Sequence, residues 1–175
     1  MERNIWTKKG FTLVEVLTVV IIIGILSAAG YAGLQRAIAN SRIKDAAFNM
    51  AAFMETASNK ARQLNDTVCV KKISDKLLGM YQGSCGNIAD DSDEIDRLEM
   101  VVGVKIIDGS MDGYDVSNLS DGADFVHRFG LSAAPAGYFL ARYGSESLYG
   151  IAVKYKNKNA VVPRVSYDGS SWSDL

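Results

Sequence analysis

Five positions after Gly10, in the stretch Lys8-Lys9-Gly10-Phe11-Thr12-Leu13-Val14-Glu15, a carboxylate stands at the threshold of a long apolar run. Twenty consecutive residues, Val16 to Gln35, carry no charge. An ionised group in such a setting costs up to about 2.5–3.5 kcal/mol at the middle of a membrane helix and less near its end. An ordinary anchor has no use for it, so Glu15 should have a role of its own. Gly10 has the opposite character. It has no side chain, and its backbone is open to close approach.

Other residues able to do chemistry are sparse. Cys69 and Cys85 are the only cysteines. A disulfide closing a loop of that size is worth roughly 3 kcal/mol and would survive in an oxidising compartment; the alternative is two buried thiols. With one histidine, His127, the two cysteines do not complete a usual zinc set. Two acidic clusters, Asp90-Asp91-Ser92-Asp93-Glu94 and Asp108 to Asp115, lack the full ligand-and-glycine spacing of a helix-loop-helix calcium site. They read as solvated loop and turn. There is no nucleophile elbow, no phosphate-binding glycine loop and no paired zinc histidines. No cofactor, no metal and no catalysis are expected, and a membrane-tethered enzyme using His127 is a remote rival. A net charge of −1 without a basic stripe argues against a nucleic-acid partner.

These residues need elements to hold them. Residues 1–10 carry Arg3, Lys8 and Lys9 against Glu2, a net of +2 before an apolar run long enough to span a membrane. One crossing is expected, with the basic head in the cytoplasm and the chain beyond about Arg36 outside. The helix should continue to Leu64. Ile43, Ala47, Met50, Met54, Ala57, Ala61 and Leu64 recur at alternating spacings of four and three, a stripe on one helical face. Such a helix is about 80 Å long. Gly24, Gly30 and Gly33 interrupt its apolar half, and Ala29 with Gly33 forms a small-xxx-small pair suited to close helix packing.

The expected organisation is a leader at 1–10, a membrane and filament-core half-helix at 11–35 and an amphipathic half-helix at 36–64. A loop region at 65–97 follows, with one or two short helices, one of them near Ser74–Leu78, and then an antiparallel sheet head at 98–175. The head strands are read at Leu98–Ile107, Tyr138–Tyr143, Leu148–Tyr155 and Ala160–Tyr167, from their Val, Ile and Tyr content and period-two alternation. A hairpin turn falls at Asn157-Lys158-Asn159, and Pro163 suits an edge or a bulge. The fold class is α+β: one long helix packed on a small antiparallel sheet.

Gly10-Phe11-Thr12-Leu13-Val14-Glu15, after a short basic leader and before an apolar helix, resembles the prepilin signature of type IV pilins and type II secretion pseudopilins. The likeness continues through Ile21-Ile22-Ile23-Gly24-Ile25-Leu26. It implies a membrane-embedded prepilin peptidase that cuts between Gly10 and Phe11, and methylation of the new Phe11 amine. It implies assembly with other pilin or pseudopilin subunits through an inner-membrane assembly platform, Glu15 pairing with a neighbour's Phe11 amine. Lipid surrounds the helix before assembly, in the bacterial inner membrane. Two features depart from the family pattern. Many members have proline where this chain has Ala32. Type IVa pilins close their C-terminal region with a disulfide, whereas both cysteines here lie upstream. The first leaves only Gly30 and Gly33 to soften the helix; the second favours a pseudopilin or minor pilin, with a major pilin of adhesion, motility or DNA uptake as the alternative. A secreted domain cut by an ordinary signal peptidase near Ser27–Gly30 is a remote rival.

Overall fold

A computed structural model describes residues 10–87, 93–108, 117–128, 131–133, 137–144, 150–156, 160–166 and 171–175. The leader before Gly10, much of both acidic clusters and the turn at 157–159 lie outside the described residues. The helix α1 spans Leu13–Leu64 without a break at Gly30 or Gly33. The chain divides into two compact units, residues 1–38 and 39–175.

In the first unit α1 has no covered face. Leu13, Val14, Val16, Leu17, Val19, Val20, Ile21, Ile22, Ile23, Ile25, Leu26 and Leu34 are all exposed. This is the one helix long and apolar enough to cross a membrane among the described residues, with a mean hydropathy of 2.4 in its candidate span and none of that window buried. An apolar surface on every side needs lipid or other helices around it.

In the second unit α1 becomes one-sided. Ile43, Ala47, Met50, Met54, Ala57 and Ala61 are buried as their spacing predicts, joined by Ala46, Ala51 and Phe53. Leu64 departs from the expected stripe and stays exposed, because the helix ends there. Asn65 adopts a left-handed conformation with φ of 51°. The Asp66 N–H donates to the Ala61 carbonyl at 3.2 Å and the Asn65 N–H to the Arg62 carbonyl at 3.4 Å. This is a Schellman closure, with asparagine in the place glycine usually takes.

Two sheets complete the unit. The first orders as β3-β2-β1-β6-β7, from β1 (Val68–Ser74), β2 (Leu77–Gln82), β3 (Glu94–Glu99), β6 (Ala123–Arg128) and β7 (Leu131–Ala133). The second orders as β11-β10-β9-β8-β4, from β4 (Val104–Ile107), β8 (Gly137–Tyr143), β9 (Gly150–Lys156), β10 (Ala160–Ser166) and β11 (Ser173–Asp174). The short β5 (Ser117–Asn118) runs parallel beside β8. A single apolar cluster joins α1 to both sheets through Val68, Val70, Met80 and Phe125 on one and Val104, Ile106, Phe139 and Val165 on the other.

Three expectations are corrected. Residues 65–97 are not a loop with a short helix. They hold β1, β2 and β3, and Asp75-Lys76 is the turn of a β1–β2 hairpin. Alternation of Val68 and Val70 inward, and of Leu78 and Met80 inward, outweighs the turn-forming residues around them. The strand expected at Leu98–Ile107 is split between β3 and β4, in different sheets. Gly103, with φ of 91°, turns the chain between them, and the Val104 N–H donates to the Val101 carbonyl at 2.9 Å. The head is also larger than three or four strands, since β5, β6, β7 and β11 were not foreseen.

Pro163 sits opposite Val153 with no bulge. Its carbonyl accepts from the Leu175 N–H at 3.0 Å, on the side away from β9. The proline nitrogen faces that same side, so the β9–β10 ladder loses no donor.

Candidate processing and assembly site

The start of α1 is built from Thr12 and Glu15. The Glu15 N–H is shared between the Thr12 carbonyl at 3.1 Å and the Thr12 hydroxyl at 3.2 Å. The Val16 N–H donates to the Thr12 carbonyl at 3.3 Å. Thr12 is therefore the N-cap, and Thr12-x-x-Glu15 has the form of a capping box. Among the described residues only the hydroxyl half of that box is closed. The Thr12 role was missed from sequence, although the Thr-x-x-Glu spacing before an apolar run was there to find it.

The consequences for the expected site residues are direct. Gly10 and Phe11 lie outside the helix, and both are exposed. A Cβ built on Gly10 meets nothing within 4 Å, and Phe11 is 82% exposed. Glu15 is exposed at the third helical position, where the positive end of the helix dipole favours a carboxylate. So Gly10, Phe11, Thr12 and Glu15 form one short sequence, peptide bond first and carboxylate last, carried on an uncovered helix.

The cysteines form a second, structural constellation. Cys69 and Cys85 are joined as a disulfide with their Cα atoms 5.0 Å apart. The bond ties β1 to the segment after β2. Asp124 of β6 supports it, accepting from the Ser84 hydroxyl at 2.6 Å and the Cys85 N–H at 2.7 Å. Gly122, with φ of 141°, passes so close that a Cβ there would lie 2.8 Å from the Cys85 sulfur. Among the described residues Cys69, Cys85 and Asp124 are the one grouping with metal-ligand spacing. Sulfurs joined to each other are not thiolates, and a metal takes the thiolate. The trio is a staple.

His127 lies on β6 opposite Ser132 of β7 and is half-buried. It belongs to no ligand grouping among the described residues.

Comparison with known protein families matches residues 7–31 to the prokaryotic N-terminal methylation motif. The chain carries the type IV pilin and pseudopilin signature. The match covers the leader's end, the cap and most of the exposed apolar helix. No curated protein and no solved structure matches the chain. The methylation motif marks structural subunits rather than an enzyme family. It implies processing by a prepilin peptidase and assembly with other pilin subunits. With a single apolar helix near the N-terminus it fits an inner-membrane-anchored pilin.

Proposed function

We propose that the chain is a structural subunit of a type IV pilus-like filament, cut after Gly10, methylated at Phe11 and assembled by helix packing. Glu15 pairs with the Phe11 amine of a neighbouring subunit. The observation that carries this reading is the methylation motif lying on a helix with no covered face, its one carboxylate exposed at the start. Before assembly, lipid satisfies the apolar surface; afterwards, neighbouring helices do. The pair offsets the cost of a charge near the membrane and fixes axial register between subunits. The leader stays cytoplasmic and the head crosses to the other side.

Within the family the reading favours a type II secretion pseudopilin or minor pilin. The disulfide sits upstream, in the β1–β2 region. The C-terminal segment is held without one. The Arg164 guanidinium pairs with Asp174 and donates to the Trp172 carbonyl at 3.1 Å.

The test is Glu15→Ala in the host. Cleavage after Gly10, read by N-terminal sequencing, should proceed normally while filament yield falls; normal filament levels would sink the pairing. Loss of secretion on deletion of the gene, with twitching intact, supports the pseudopilin; the reverse supports the major pilin.

A further inference from the structure

The N-cap has a role beyond helix stability. We infer that Thr12 is a positioning residue for leader removal: its hydroxyl, bonded to the Glu15 N–H, stops α1 at Leu13 and so holds the Gly10–Phe11 peptide bond outside the helix, where a peptidase can take it. This rests on the proposed cleavage after Gly10.

A protease active site needs the substrate backbone unwound, because helical N–H and C=O groups are already paired to each other. In this chain only two residues, Phe11 and Thr12, separate Gly10 from the first helical residue, Leu13. One further turn of helix would absorb Gly10 and Phe11. The pressure to add it is real. The first N–H groups of α1 have no intrahelical acceptor, and leaving them unpaired beside an apolar phase costs several kcal/mol each. Winding residues 10–12 into helix would move the unpaired groups toward water.

Thr12 opposes that. A hydroxyl reaches the N–H three residues on only while its own backbone is out of the helical conformation. Once wound into the helix, a threonine hydroxyl turns toward a carbonyl of the preceding turn instead, as Thr18 does here toward the Glu15 carbonyl at 2.9 Å. The 3.2 Å bond from Glu15 to Thr12 is thus available to the short helix and lost by the lengthened one.

If the cap sets this balance, its loss lowers the fraction of substrate with an unwound scissile bond. The apparent affinity for the peptidase falls by that fraction, and turnover of bound substrate does not change. A cap of ordinary strength shifts the balance between short and lengthened helix about fivefold, and that factor is the upper bound on the loss of apparent affinity.

The experiment uses the full chain in lipid vesicles with a prepilin peptidase, cleavage being followed by mass spectrometry across substrate concentrations. Thr12→Val keeps the shape and removes the acceptor; Thr12→Asn keeps an acceptor and changes the shape. The expected result is a KM raised for Thr12→Val, by up to about fivefold, with kcat unchanged, and a KM for Thr12→Asn no higher than that of wild type. Wild-type KM in Thr12→Val overturns the inference. So does Thr12→Asn failing as badly as Thr12→Val, which means that the peptidase reads the threonine itself. Wild-type chain left uncut between Gly10 and Phe11 removes the processing reading and this inference with it. Normal cutting of all three chains removes the inference alone.

Discussion

Lys72 and Asp108 form the charge contact whose effect on the head is easiest to isolate. The Lys72 ammonium lies 3.1 Å from Asp75 and 3.2 Å from Asp108. It links the end of β1 to the end of β4. The Asp108 carboxyl is held below its usual range, first by the Ser120 hydroxyl and then by Lys72. Burial pulls Lys72 down, but hydrogen bonds to Asp75 and Asp108 outweigh it and leave the ammonium above its usual range. A depressed carboxylate contributes stability that is complete above its unfolded value and is lost as pH falls through the folded one. A raised ammonium contributes stability that is complete below its unfolded value and is lost as pH rises through the folded one. The window for both is therefore roughly pH 4 to 10. Asp108→Asn should lower the unfolding temperature at pH 7, and the difference from wild type should shrink as pH falls below about 4. Thermal melts followed by near-ultraviolet circular dichroism in detergent micelles read this directly. An equal deficit at low and neutral pH would mean that packing, not charge, is lost. Nothing in the sequence joined these residues: Lys72 and Asp108 are 36 positions apart, at the ends of strands in different sheets, and only the packing of the two sheets brings them together.

Elements were legible where one periodicity acted alone. The helix stripe at Ile43 to Ala61 and the strands at 138–143, 150–156 and 160–166 all follow from the helical spacing of apolar residues and from Val, Ile and Tyr content. The β1–β2 hairpin was not legible. Asn65-Asp66, Gly79 and Gly83 punctuate it as a loop, and its short alternations pair with each other only in three dimensions. The disulfide contributes there. It closes a separation of 16 residues around the whole hairpin, a constraint on the unfolded chain worth roughly 3 kcal/mol. Replacing both cysteines, Cys69→Ser with Cys85→Ser, should cost about that much. Chemical denaturation of oxidised wild type against the double variant measures it. A loss below about 0.5 kcal/mol would show that Asp124 and the ladder alone hold the segment. The methylation motif was legible in the sequence, since it is contiguous; the Thr12 cap was not, because a threonine inside a motif does not announce itself as a backbone acceptor.

At the scale of the molecule, the buried core begins at Ala39, and among the described side chains none of 13–38 belongs to it. The second unit supplies its own helix segment, both sheets and the disulfide. A chain of residues 39–175 should therefore fold in water, remain oxidised and show the near-ultraviolet signature of a packed interior; aggregation under oxidising conditions would count against this. The first unit is different. Its backbone bonds close within the helix, yet its side chains have nothing to pack on. Repeated contact between such helices, with a rotation that does not close, gives an open filament rather than a ring.

That boundary at Ile38 also separates two kinds of tolerance to change. A substitution among residues 13–38 is judged by lipid, peptidase and neighbouring helices and leaves the head's interior untouched. A substitution in the sheets is judged by α1 beyond Ala39 and leaves the processing site untouched. Under the proposed function, the second unit can thus change its surface without altering how the first is processed, and one N-terminal segment can serve heads that share nothing else.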